Sequence, residues 1–300
     1  MMRKLWLNLG AAALLFAALA AVSWLTRTST PVGSEALRLT ALSPGTVKDI
    51  QIQRQDGSLV ALTRNGDFWR VTEPFAARAN PVRAAAIASL AGATTNVFYP
   101  VAAIPLAEAG LAPPQLVVAL NGTALEIGAR QSLDDLRYVR VEQRVALLKD
   151  HFFHHLDQPA AGFVHPAPLP PGANVKAIRA EAFELKLGAG KWTWAPSEFA
   201  VSADAVVTLV SRWQAASATA VMAMDPAVKW RDNIAVTLST GDVLQFKVRE
   251  AGEHGWLGLP ALNLQYQFPR TRIRQLFEAG QSERIRGRGA GDLRARAARS

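Results

Sequence analysis

The sequence predicts an α+β protein: an N-terminal transmembrane helix followed by two tandem, similar β-rich units, each with antiparallel strands and a packed helix. Three observations predict it. Residues 5–25 run without a charge. Two stretches of the remainder align, one beginning at Val47-Lys48-Asp49-Ile50 and the other at Val175-Lys176-Ala177-Ile178. Within each, apolar residues alternate at the strand period, broken once by an alanine-rich run of helical length.

In the first element, Asn8, Gly10 and Ser23 interrupt an otherwise apolar run. The run is long enough, at about 1.5 Å per residue, to cross about 30 Å of hydrocarbon. Trp6 and Trp24 mark its two ends, where amphipathic rings favour the interface. Arg3 and Lys4 precede it, so the positive-inside rule places the N-terminus in the cytoplasm and the bulk of the chain outside. The reading is a single-pass protein of a bacterial inner membrane, facing the periplasm. Ala18-Leu19-Ala20 also has the small-x-small form of a signal cleavage site, which would deliver the same body to the same side.

The two units follow a common order. After the opening strand comes a turn and a tryptophan strand, Asn65-Gly66-Asp67-Phe68-Trp69 in one copy and Gly188-Ala189-Gly190-Lys191-Trp192-Thr193-Trp194 in the other. A proline follows (Pro74, Pro196), then a helix expected over residues 80–92 and 202–217. Asn80-Pro81 and Ser202 are N-terminal helix signals. Residues 116–120 and 124–127 flank Asn121-Gly122, a favoured two-residue hairpin turn; residues 234–238 and 243–246 are their counterparts around Ser239-Thr240-Gly241. Strands over 137–141 and 145–148, and over 255–257 and 262–266, complete the copies. Short closing helices are expected at 149–156 and 271–278, with Phe152 and Phe277 on their apolar sides. Each unit thus reads β-β-β-α-β-β-β-β-α. The division is 1–26 stub and anchor, 27–38 tether, 39–157 first unit, 158–173 proline-rich linker, 174–280 second unit and 281–300 an Arg-rich tail without enough apolar surface to fold alone. The linker fits either a rigid spacer or a packed crossing loop.

Composition narrows the function classes. The chain has 300 residues and no cysteine, which excludes disulfides and thiolate chemistry. The net charge is +9, but it is unevenly placed. The segment from Arg284 onward carries six arginines against Asp292, and Arg3 and Lys4 add two more charges, so residues 5–283 hold 25 basic and 23 acidic side chains. The basicity belongs to the ends. This suits membrane proximity, or an acidic partner, better than nucleic acid.

The hydrophobic and turn positions resemble the bacterial domain-of-unknown-function family numbered 4340. The carrying residues are Ile50, Ile52, Leu62, Gly66, Trp69 and Pro74, then Gly110-Leu111, Pro113, Leu125, Ile127 and Gly128; the resemblance runs from Leu39 to Phe277. It implies an envelope protein, often an accessory of ABC-type transport or gliding-type export systems, with no established catalytic residues to carry over. The second copy departs at the last glycine, where Lys247 follows Phe246.

Four motifs are candidate sites. On a helix His151 and His155 would share a face at metal-ligand spacing, beside His154, Asp150 and Asp157; no glutamate lies between them as in a zincin, and a polar helix face over buried Phe152 and Leu156 accounts for them. Asp134-Asp135 reads as turn chemistry rather than an acid pair. The Gly188-to-Lys191 run lacks P-loop spacing and reads as a turn. Trp69, Trp192, Trp194, Trp213, Trp230 and Trp256 could line a groove, but recurrence of Trp69 and Trp194 at matching positions makes them core residues first. No residue is therefore assigned a catalytic, cofactor-binding or metal-ligating role, and no cofactor is expected. The expected partners are inner-membrane lipid, through residues 5–25, and membrane transport proteins. The reading is a non-enzymatic accessory or scaffold protein. Its alternatives are a lipid- or solute-binding protein with a tryptophan-lined pocket between the units, and a metal-dependent hydrolase in which the histidines meet a distant carboxylate.

Overall fold

The structure, a computed structural model, describes residues 36–131, 134–196 and 201–278. The expected membrane segment, the cleavage motif, most of the tether and the Arg-rich tail lie outside these residues. Among the described residues no helix is long and apolar enough to cross a membrane.

The protein is β-rich with few helices, and every strand pairing is antiparallel. The first unit contains β2 (Asp49–Arg54), β3 (Leu59–Asn65), β4 (Phe68–Glu73), β5 (Ala77–Arg78), β7 (Phe98–Pro100), β8 (Leu116–Leu120), β9 (Thr123–Arg130), β10 (Leu136–Val141) and β11 (Arg144–Lys149). They form one sheet in the order β5-β4-β3-β2-β8-β9-β10-β11-β7. Strands β1 (Leu37–Arg38) and β6 (Thr94–Thr95) pair separately. The second unit contains β12 (Val175–Arg179), β13 (Glu184–Gly188), β14 (Lys191–Ala195), β15 (Ala220–Ala223), β16 (Arg231–Leu238), β17 (Val243–Ala251), β18 (His254–Leu259) and β19 (Leu264–Pro269). Its order is β14-β13-β12-β16-β17-β18-β19-β15. Setting β5 aside, the two orders are the same, strand for strand.

Period-two burial builds both sheets. Ile50 and Ile52 of β2 are buried while Asp49, Gln51 and Gln53 are exposed; Leu116, Val118 and Leu120 of β8 continue the inner face. The Asn121-Gly122 turn has φ of 47° and 85°, both positive as its hairpin type requires. Asn121 also ties the turn to the chain entering β2: its Oδ1 accepts from the Lys48 and Asp49 amides and its Nδ2 donates to Thr46 O.

Each unit lays one principal helix on the inner face. In α1 (Pro81–Ala88) Asn80 caps the N-terminus, accepting from the Val82 and Arg83 amides; a 3₁₀ turn, Ser89–Gly92, extends it. In α3 (Ala203–Gln214) Ser202 accepts from the Ala205 amide. Val206, Leu209, Val210 and Trp213 form its buried stripe, the spacing of one helical face. Trp213 Nε1 donates to Leu276 O at 2.9 Å, so this fully buried indole is satisfied.

Three expectations need correction. A strand beyond those expected follows each principal helix, β7 in one unit and β15 in the other, and each crosses to pair with the last strand of its sheet. The closing helices are shorter than expected: α2 is Phe153–Leu156, because Lys149 still belongs to the β10–β11 ladder, and α4 is Arg270–Gln275. Counted from the hairpin turns, Trp69 corresponds to Trp192, and Trp194 to Val71. The extra residue in β4 is absorbed where the register shifts between Ala61 and Leu62.

The proline-rich linker is a packed crossing segment. Phe163 is fully buried and Val164 and Leu169 are each 2% exposed. On one side the linker continues the first sheet past β5, through an Ala79–Val164 bridge and a hydrogen bond from His165 N to Arg78 O. On the other, its 3₁₀ turn Ala160–Phe163 packs against β15 and Pro166 O accepts from Ala218 N. Opposite ends of the common strand order thus meet across it, and the buried cores of the two units are continuous.

Candidate functional site

The histidine cluster is held by arginines. His151 precedes α2 instead of lying on it, so the expected i, i+4 face is not formed. Phe152 and Leu156 are buried, as the polar-face reading requires. The His154 and His155 rings lie 3.9 Å apart. Arg83 donates to the His154 and His155 carbonyls at 3.3 and 3.2 Å and to Gly162 O at 3.1 Å; Arg54 donates to the Leu156 and Gln158 carbonyls. Burial, then the charges of His154, Arg83 and His151, push the His155 pKa below its ordinary value. Asp150 is committed elsewhere, to Arg137. Among the described residues no three His, Asp or Glu side chains converge on a common point.

The other motifs resolve into turns and core. Asp135 has φ of 49° and pairs with Arg130. Ala189 and Gly190 have φ of 48° and 76° between β13 and β14, a hairpin turn. Trp69, Trp213 and Trp256 are buried, whereas Trp192, Trp194 and Trp230 are half-buried, the first two on one face of β14.

A cleft does lie between the units, and among the described residues it is lined by no tryptophan, contrary to the expectation for such a pocket. It encloses about 280 Å³. The first unit contributes Phe68, Arg70 and Arg78; the linker contributes His165 and Leu169; the inner face of the second sheet contributes Leu244, Leu259 and Tyr266, and the 3₁₀ turn between β18 and β19 contributes Leu262. The cations are positioned by the hairpin edge itself. The Arg78 guanidinium lies 4.8 Å from the Phe68 ring centre, and Arg70 Nη2 donates to Ala76 O at 3.0 Å. His165 Nδ1 accepts from Ala167 N at 3.0 Å, so the neutral ring carries its proton on Nε2. Burial, then the Arg78 charge, lowers the His165 pKa. Burial pushes the Tyr266 phenol up to about 12, so it stays a neutral donor. Among the described residues the lining holds no carboxylate, serine or threonine. Such a site can bind and orient a ligand through its two guanidiniums, its imidazole and its phenol.

Sequence reasoning reached the linker and the idea of an inter-unit pocket, but not these residues. The readable signal was in the linker, where Phe163, Val164 and Leu169 are too apolar for a solvated spacer.

No protein-family model matches the chain, no curated protein matches its sequence, and no solved structure matches its fold.

Proposed function

We propose that this chain is a membrane-tethered, periplasm-facing accessory protein that works by binding, with no enzymatic activity of its own, in association with a transport or export assembly of the inner membrane. The observation that carries the reading is architectural: two units of one strand order, merged through a buried linker, with a cleft at their junction that has binding groups. The uncharged residues 5–25 supply the tether, and the resemblance to the family numbered 4340 supplies the transport context. Crosslinking the full chain in intact membranes and purifying it is the test. Recovery of membrane transport subunits in stoichiometric amount is expected, and recovery of the chain alone overturns the association. The cleft also favours a second reading, in which the same tethered protein carries or senses a lipid or solute.

A further inference from the structure

We infer that the cleft between the units binds a single-chain amphiphile with an anionic head, the head held by Arg70 and Arg78 and the chain lying on Leu244, Leu259 and Leu262. The inference rests on the second reading above and names its ligand class.

Charge carries the first part of the argument. Two guanidiniums and an imidazole face the cleft, with no carboxylate among the described residues of its lining. Among the described residues, neither Arg70 nor Arg78 has an acidic side chain within ion-pair distance. In the broader depression of about 1060 Å³ on the second unit, by contrast, Arg270 and Arg274 are both neutralised by Glu250. Arg70 and Arg78 are also preorganised, one by a main-chain carbonyl and the other by the Phe68 ring. An anion would gain two charge-assisted contacts there without first breaking an ion pair.

Shape and polarity carry the second part. Opposite the arginines the wall is leucine, with Leu259 4% exposed and Leu244 and Leu262 half-buried. A head at the arginines therefore leads an attached apolar chain onto an apolar floor. The volume of about 280 Å³ holds roughly nine water-sized groups, which suits a medium-length chain. A carboxylate and a phosphate monoester both meet these demands.

The test is photolabelling of the full chain in membranes with a decanoic acid bearing a terminal diazirine, read by peptide mass spectrometry. Label is expected on peptides carrying Leu244, Leu259 or Leu262. The double variant Arg70→Gln/Arg78→Gln is expected to lose roughly tenfold of the label, and Arg78→Lys to keep most of it. Both arginines are exposed, so an unchanged melting temperature is expected. If melting shifts, Leu262→Asp, which blocks the floor and leaves the arginines in place, must lose the label instead. Unlabelled decanoate or decyl phosphate should protect, and the stronger protector identifies the head group. A decanol probe labelling as strongly as the acid overturns the anionic head while leaving a cleft-binding protein. Absence of label from the cleft with both probes, or protection by neither competitor, overturns the inference and the second reading together.

Discussion

Arg137 and Asp150 form an ion pair in which the side chains are 7% and 10% exposed. Both ends of the guanidinium reach the carboxylate at 2.8 Å; Nη1 donates to Gln115 Oε1 and Gly128 O, and the group stacks 3.5 Å from the Phe153 ring centre. Removing one partner of such a pair strands the other in low dielectric, so Arg137→Ala should cost about 3–5 kcal/mol in chemical denaturation. Replacing both partners with apolar residues should cost much less. A second residue-scale prediction concerns Gly128. A Cβ there would stand 2.3 Å from Ala109 O, because residues 101–115 cover the outer face of β9 and Ala129 N donates to Ala109 O. Gly128→Ala should therefore cost about 1–3 kcal/mol, whereas Gly188→Ala, with open space around its Cβ, should stay within about 0.5 kcal/mol. This contact explains the glycine of the sequence motif, and why Lys247 serves in the other copy. Acid should weaken the fold through His155 and His165, whose pKa values lie below the ordinary 6.5. Above 6.5 both rings are neutral in folded and unfolded chains. As pH falls through that value the unfolded chain binds protons first, so stability declines until the folded pKa values are passed. Melting temperature should drop across that window, and His155→Gln/His165→Gln should flatten the drop.

At the element scale, what could be read in the sequence was whatever depends on near neighbours. The hairpin at Asn121-Gly122, the caps at Asn80 and Ser202, and the alternation in β2 and β8 are local chemistry, and the structure has them. Asn80→Ala should cost about 1 kcal/mol, seen as a lower denaturation midpoint. Strands β7 and β15 were missed because they are short and their partners are distant. Phe98–Pro100 pairs only with β11, more than forty residues on, and Ala220–Ala223 with β19. The first closing helix is shorter than its sequence suggests because Lys149 and His151 fit a helical pattern as well as the strand and turn they form. Of the candidate cleft only its location could be foreseen. The approach of Arg70 and Arg78 to leucines nearly two hundred positions away is a product of packing, which periodicity does not encode.

At the scale of the whole molecule the linker decides how the units behave. Phe163 belongs to a buried cluster that draws on both sheets, so the units should unfold together. Phe163→Ala should cost about 3–5 kcal/mol, with circular dichroism and tryptophan fluorescence following one shared transition; two separate transitions would contradict a continuous core. The linker also joins unlike edges, the β4–β5 side of one sheet and the β15 side of the other. In such a head-to-tail joint the far side of the second sheet is the same kind of edge the first has already used, and β7 is the same kind as β15. Had like edges met, the pair would have been self-completing. As built, the duplication is open-ended: a third repeat could be appended by copying the joint, and nothing in the geometry of the seam fixes the number at two.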